Sequence, residues 1–183
     1  MKVLKQILGV DVAQKELVVT LGRMREDLSI DLYSHRVFRN TNTGFEALTK
    51  WLDKQTLQEV KVQVVMEATG VYHQKFAYYL DDRGRDVCIV LPNKISNYMR
   101  TLENKTINDK TCSEAIARFG LERKLDNWKK PHHCYKILQQ LVREREQIVA
   151  ERSAVKNQLH AENAEAEPNP DSLKRLDARI KFL

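Results

Sequence analysis

Residues 8–21, LGVDVAQKELVVTL, place one aspartate inside an apolar run and then return to alternating apolar and polar residues. The β-branched residues on either side of the polar AQK segment predict two antiparallel strands, at residues 4–12 and 16–22. Burying Asp11 between Val10 and Val12 without a partner would cost roughly 3 kcal/mol or more. Asp11 therefore needs a polar partner, and a bound cation is one group that would meet this need.

The chain that follows this pair of strands alternates between strand and helix patterns. A third strand is predicted at residues 29–38, and Thr and Asn caps precede a helix that runs through Lys54. The run VKVQVVM at residues 60–66 predicts a fourth strand, a helix then ends at Gly84, and residues 86–91 predict a fifth strand before Pro92. Since helices join the later strands, the pattern predicts an α/β fold with a mixed sheet and flanking helices.

Beyond Pro131 the pattern changes to apolar residues every three or four positions among many charged ones. It predicts a long amphipathic helix at 133–164, a loop at 164–171 with two prolines, and a further helix up to Leu183. The narrow apolar stripe favours a helical hairpin or coiled coil and a homo-oligomer formed through it. We expect two domains, residues 1–130 and 131–183, with the second truncated at its C-terminal end.

Composition limits the class of protein. The chain has 183 residues and a net charge of +6, which favours a polyanionic partner without identifying it. Three widely spaced cysteines suggest neither a disulfide framework nor a zinc site. Because no apolar run approaches the length of a membrane span, we expect a cytoplasmic protein with no membrane partner.

Three acidic residues lie at the end of a predicted strand or at the start of a predicted helix. Asp11 closes the first predicted strand, Glu67 the fourth, and Asp109 begins a helix. Carboxyl ends of neighbouring parallel strands lie at one sheet edge, so Asp11 and Glu67 are expected to converge. Two alternatives stay open at this point: Asp109 as a helix N-cap and Glu67 as the simple end of a strand. A carboxylate cluster suits phosphoryl transfer by two magnesium ions roughly 4 Å apart.

Three segments also resemble the motif regions of a known family. GVDVAQKELVVTL, VVMEATGVYH and NKTINDKTCSEAIARFGLE, in this order, are similar to the motifs of the DEDD transposases of the insertion-sequence one-ten group, relatives of the Piv-type DNA invertases. The resemblance covers about residues 9–159. It implies a RuvC-like, ribonuclease H-type fold followed by a coiled coil, with Asp11, Glu67 and Asp109 as catalytic ligands of magnesium or manganese.

The chain departs from the family pattern at the fourth acidic position. An aspartate is expected three residues after Asp109, and this sequence has Cys112 there, next to Ser113. A thiol is a poor magnesium ligand, so Ser113 or water is expected to take its place, or metal binding is weaker. Six basic residues flank the proposed site and are candidates to hold phosphates: Arg83, Arg85, Lys94, Arg100, Lys105 and Lys110. Of these, Arg100, Lys105 and Lys110 are the predicted nucleic-acid contacts.

The resemblance implies DNA recombination and transposition, with a bridge RNA that selects the DNA sequences. It also implies a second domain with a catalytic serine, so we expect this chain to be the RuvC-like half and to be inactive alone. The competing hypothesis is a non-catalytic module for nucleic-acid binding and oligomerisation. Glycoside hydrolysis is disfavoured by an aromatic content of 7%, and a sugar kinase or ATPase by the lack of a GxGxxG loop.

Overall fold

A computed structural model describes residues 2–68, 70–102 and 108–183. The chain divides into two compact units, residues 1–130 and residues 131–183. The elements of the first unit are β1 (Val3–Val12), β2 (Glu16–Arg25), β3 (Ile30–Arg39), α1 (Asn42–Gln55), β4 (Val62–Glu67), α2 (His73–Asp81), β5 (Asp86–Val90), α3 (Pro92–Met99) and α4 (Asp109–Glu122). The second unit contains α5 (His133–Asn163) and α6 (Pro170–Phe182).

The five strands form one mixed sheet in the order β3-β2-β1-β4-β5. β1 and β3 are both antiparallel to β2, because short turns join these three strands. β4 is parallel to β1 and to β5, because helices carry the chain back between them. The predicted mixed α/β sheet with flanking helices is confirmed.

β2 does not end at Gly22 as the sequence suggested. It continues to Arg25 and pairs with β3 along this extension. Asp31 on β3 holds the extension, since its Oδ2 accepts from Arg23 Nη2 at 2.8 Å and from Arg25 Nη2 at 3.1 Å. Gly22 lies inside the strand at a point where neighbouring side chains come close, because a Cβ there would meet side-chain atoms of Leu32 and Leu121.

Alternate residues of the central strands pack into two separate apolar layers. Val10 and Met66 belong to a cluster with Phe45 of α1 and Phe76 of α2. On the opposite face, the cluster includes the following residues of the sheet and of α3 and α4: Ile7, Val65, Ile95, Ala115, Ile116 and Ala117. The sheet is therefore covered on both faces, as expected for strands that read as nearly continuous apolar runs.

Helix α4 lies unusually close to β1. A Cβ at Gly9 would clash with the Ser113 carbonyl oxygen and the Ala117 amide nitrogen, and one at Gly120 would approach Ile7 Cγ2 to 2.9 Å. Lys5 extends this contact because its Nζ donates to the carbonyl oxygens of Gly120 and Arg123. Two glycines thus allow backbone to approach backbone, and a lysine fixes the far end of the helix.

The second unit is a pair of helices in contact with each other. Pro170 occupies the first turn of α6, where its missing N–H costs nothing, and Arg179 Nη2 donates to Glu151 Oε1 at 2.7 Å. Val155 is the buried residue of α5, whereas Leu138 and Leu141 are each 56% exposed. A helical hairpin is therefore present, and the predicted coiled coil stays a prediction. None of the helices in the described ranges has the length and apolarity needed to cross a membrane.

The close approach at Gly9 yields a first prediction. Gly9→Ala should lower the free energy of unfolding by about 1–3 kcal/mol, because the methyl group meets helix backbone that cannot rotate away. Urea unfolding followed by circular dichroism measures this, with Lys50→Ala on the exposed face of α1 as control. Equal stability of Gly9→Ala and the wild type would show that α4 does not depend on this contact.

Candidate active site

The sheet register brings Asp11 and Glu67 side by side. Val10 is paired with Met66 across β1 and β4, so Asp11 and Glu67 are the next residues along two parallel neighbours. Side chains alternate between faces along a strand, and Val10 and Met66 point into the α1 and α2 layer. Asp11 and Glu67 consequently lie on the opposite face, which α4 covers, at the carboxyl ends of both strands.

Helix α4 brings the third acid to the same edge. Gly120 lies against Ile7, whereas Ser113 and Ala117 lie against Gly9, so the helix runs opposite to β1. Its first residue, Asp109, therefore lies toward the end of β1 that carries Asp11. Asp109 lies near enough to contribute to the electrostatic environment of Asp11. The structure thus brings together the three acids selected from the sequence.

The alternative of Asp109 as the N-cap is wrong. Asn108 occupies the cap position, and its side chain accepts from the amide of Thr111 at 2.9 Å. Thr111 Oγ1 in turn accepts from the Asn108 amide at 2.9 Å, which completes a capping box. Asp109 is the first helical residue and is exposed, so its carboxylate is not used as the cap of its own helix.

Burial and mutual repulsion perturb this group of acids. Burial, followed by the charges of Asp109 and Glu67, raises the pKa of Asp11 from 3.8 to about 6. The same environment acts on Cys112, since burial and the charges of the three acids raise the pKa of its thiol to about 11. Cys112 therefore faces the acids and stays protonated at neutral pH, which argues against a nucleophilic thiolate.

The acids do not form a closed metal cage as they stand. Within residues 2–68, 70–102 and 108–183, no group of three His, Cys, Asp or Glu side chains is close enough to hold an ion. Their chemistry nevertheless fits a hard divalent cation, because carboxylate oxygens are its preferred ligands and a cation would relieve the repulsion around Asp11. The arrangement is an electrostatically coupled cluster that would have to tighten to coordinate an ion.

Ser113, predicted as a substitute ligand, occupies a different environment. It is completely buried, and its Oγ lies 2.8 Å from Thr20 Oγ1 and 2.8 Å from the Lys110 carbonyl oxygen. Thr20 Oγ1 also lies 3.1 Å from His35 Nδ1. These contacts tie the first turn of α4 to β2 and β3, so the Ser113 hydroxyl is already engaged, and Cys112 is the neighbour that faces the acids.

The three predicted nucleic-acid contacts fall in different places. Arg100 is exposed and lines a groove of about 690 Å³ that also includes Glu67 and Met99. Lys110 is exposed on the β3 side of α4, where its Nζ lies 3.9 Å from Glu114 Oε1. Lys105 lies outside the described residues. Arg100 is thus a basic candidate that the structure places in the same groove as Glu67.

Sequence reasoning did not identify Gly9, Gly120 or Thr20 as parts of the site's support. Gly9 carried a usable signal, because an isolated glycine inside a buried strand indicates close approach by another backbone. Thr20 carried none, since its hydrogen bond to Ser113 joins residues that are 93 positions apart.

Comparison with known proteins identifies the family. The model of the DEDD transposases of the insertion-sequence one-ten group, described as transposase, matches residues 8–162. The chain belongs to this transposase family. It is 26% identical over 153 residues to the pilin gene-inverting proteins of Moraxella bovis and Moraxella lacunata, covering 81% of this chain and 46% of each relative. The chain therefore spans about half the length of these curated relatives.

Solved structures similar to this chain include RuvC and a viral Holliday junction resolvase. RuvC of T. thermophilus, in complex with a Holliday junction substrate, shares 10% identity at a TM-score of 0.47 and covers 67% of this chain and 99% of that one. The fowlpox virus Holliday junction resolvase shares 12% identity at a TM-score of 0.45 and covers 64% and 98%.

The raised pKa of Asp11 predicts that the stability of this chain depends on pH. Between pH 4 and pH 6 the folded state binds the Asp11 proton more tightly than the unfolded state, so stability falls as the pH rises through about 6. Asp11→Asn should therefore be more stable than the wild type at pH 8 by about 1–2 kcal/mol, after allowance for partial exposure, and equally stable at pH 4.

Urea unfolding at both pH values tests this, with the exposed Glu59→Gln as the control that should show no pH-dependent gain. A loss of stability in Asp11→Asn at pH 8 would contradict the repulsive environment described here.

Proposed function

We propose that this chain is the metal-binding half of a DNA recombinase that cleaves and transfers DNA strands. The observation that carries the proposal is the convergence of Asp11, Glu67 and Asp109. Burial of Asp11, followed by the charges of Asp109 and Glu67, raises the pKa of Asp11 to about 6. Perturbed carboxyl groups at the carboxyl ends of parallel strands are typical of catalytic sites. Membership of a transposase family makes DNA the polymer on which these groups would act.

The proposed roles follow from the position of each side chain. Asp11, Glu67 and Asp109 would hold magnesium, or manganese in its place. The bound ion would supply positive charge that stabilises phosphoryl transfer and activates the attacking oxygen. Arg100, exposed in the groove that includes Glu67, would hold a phosphate of the DNA and so position the strand. Cys112 would keep its proton and contribute no charge.

The greater length of the relatives bears on the complete reaction and its partners. The matching relatives are about twice as long as this chain, so the source of the nucleophile, the complete reaction and its partners remain proposals. A bridge RNA and the cytoplasmic location stay predictions, because they rest on the resemblance and on composition.

A metal titration tests the proposed function. Calorimetry with Mn²⁺ and Mg²⁺ should show binding to the wild-type chain, and Asp11→Asn or Glu67→Gln should weaken it by at least about tenfold, since each removes a charged oxygen ligand. Glu59→Gln, which removes an exposed carboxylate elsewhere, should bind as the wild type does.

Substitutions at Cys112 test the same site by an expected gain of metal affinity. Cys112→Asp places a fourth carboxylate beside the three acids and should raise Mn²⁺ affinity by about tenfold or more, whereas Cys112→Ser, which adds no charge, should not. Failure of the wild type and of Cys112→Asp to bind either ion would reject the metal-dependent enzyme. That result would favour the second candidate, a non-catalytic nucleic-acid-binding module, which the lack of a closed cage among the described residues also favours.

We further propose that α5 pairs with α5 of a second copy as a coiled coil. Leu138 and Leu141 are each 56% exposed and Ile148 is 38% exposed, although their spacing of three and seven residues places them on one helix face. Exposed leucines at this spacing are stabilised when a second helix covers them.

Sedimentation measures this association. The wild type should sediment as a dimer, and Leu138→Glu with Leu141→Glu should be monomeric because two charges would enter the apolar face. Gln139→Glu with Gln140→Glu adds the same charge on the same turn and should remain dimeric. A monomeric wild type would reject the coiled coil.

A further inference from the structure

A second groove lies on the other side of α3 from Arg100 and Glu67. It has a volume of about 730 Å³ and is formed by one face of α3 and the C-terminal half of α4 with the residues that follow it. Its lining residues are Lys94, Asn97, Tyr98, Thr101, Phe119, Arg123, Lys124 and Leu125. None of the three acids of the candidate active site lines this groove.

Three of the lining residues are cations that the described part of the chain leaves uncompensated. Lys94, Arg123 and Lys124 form no ion pair within the described ranges, whereas other basic side chains of the unit, such as Arg23 and Arg85, are bonded to aspartates. Among the described residues, Glu122 lies beside Tyr98 and Asp126 lies near Cys88. With Arg118, whose charge also affects Tyr98, four basic residues lie near two acidic ones in the part of the chain that the structure describes.

The guanidinium of Arg123 lies against two aromatic rings. Its guanidinium carbon lies 4.9 Å from the ring centroid of Phe119 and 5.9 Å from that of Tyr98. The two rings pack edge to face with centroids 5.3 Å apart, and both are at least nine-tenths buried. A guanidinium held against aromatic rings loses little further conformational freedom when its N–H groups bind an anion.

The end of α4 does not neutralise these cations. Helix C-termini carry partial negative charge and attract basic side chains, and Arg123 and Lys124 directly follow Glu122, the last residue of α4. Lys5 already satisfies this end of the helix, because its Nζ donates to the carbonyl oxygens of Gly120 and Arg123. The side chains of Arg123 and Lys124 are consequently available to a ligand in the groove.

We propose that this groove binds the sugar-phosphate backbone of DNA beyond the segment that reaches the acids. Its volume is too small for a whole duplex but accommodates one backbone with its phosphates, which Lys94, Arg123 and Lys124 contact from both walls. Such contacts position DNA without reading its sequence. The proposal rests on the proposed function for the identity of the polymer, but it requires no metal and no cleavage.

Fluorescence anisotropy with a labelled 30-base-pair duplex of arbitrary sequence, in EDTA and over about 50–200 mM salt, tests the groove. Lys94→Ala, Arg123→Ala and Lys124→Ala together should weaken binding by at least about tenfold and reduce the salt slope by about two to three. The control removes the same charge from exposed lysines elsewhere, Lys50→Ala, Lys54→Ala and Lys61→Ala, and should reduce affinity far less.

A second variant guards against misfolding. Lys94→Gln with Lys124→Gln leaves Arg123 over its rings and should still lower the salt slope by about two. If this variant and the triple variant both bind DNA as the wild type does, the proposed binding groove is rejected. If the groove variants lose affinity for an RNA duplex but not for the DNA duplex, the assignment of the groove to DNA is rejected.

The two proposals fail separately, because the groove is tested in EDTA, where no divalent ion is bound. If the wild type binds neither metal ion and the groove variants still lose DNA affinity, the groove is supported and the proposed function is rejected. If the metal titration succeeds and the groove variants bind DNA as the wild type does, the inference is rejected and the proposed function is retained.

Discussion

The backbone contact between α4 and β1 at Gly9 determines the geometry of the candidate active site. With no side chain at this position, the helix lies against the strand itself, and its first turn reaches the edge where β1 and β4 end. Any larger residue would move the helix outward and carry Asp109 and Cys112 away from Asp11. The positions of the acids therefore depend on a glycine that carries no chemistry of its own.

The acids are held in an arrangement that is unfavourable without a cation. Asp11 is partly buried next to two like charges, so its ionised form is destabilised and its pKa is raised. Apolar layers on both faces of the sheet and the buried Thr20–Ser113 hydrogen bond keep α4 in place against the repulsion. Strain of this kind at a site is supported by stability elsewhere in the fold.

Sequence patterns predicted the parts of this site that depend on local order. The β-branched runs located β1 and β4, and parallel pairing then required Asp11 and Glu67 to meet. Asp109 as the N-cap stayed an open alternative because Asn108 and Asp109 are both good caps, and only the backbone geometry selects Asn108. The burial of Ser113 against Thr20 depends on the depth at which α4 packs, which periodicity does not encode.

Cys112 changes the balance between stability and metal affinity. A fourth carboxylate at this position would add a further like charge beside Asp11 and would make the protein without a metal ion less stable. A protonated thiol avoids that repulsion but removes one anionic ligand, so the free energy gained on binding a divalent ion is also smaller. Because the same charges oppose folding and attract the cation, a residue that stabilises the empty site must weaken the filled one. A chain with Cys112 at this position would depend more on basic side chains outside the acidic cluster, such as Arg100 beside Glu67, to hold a phosphate near the acids.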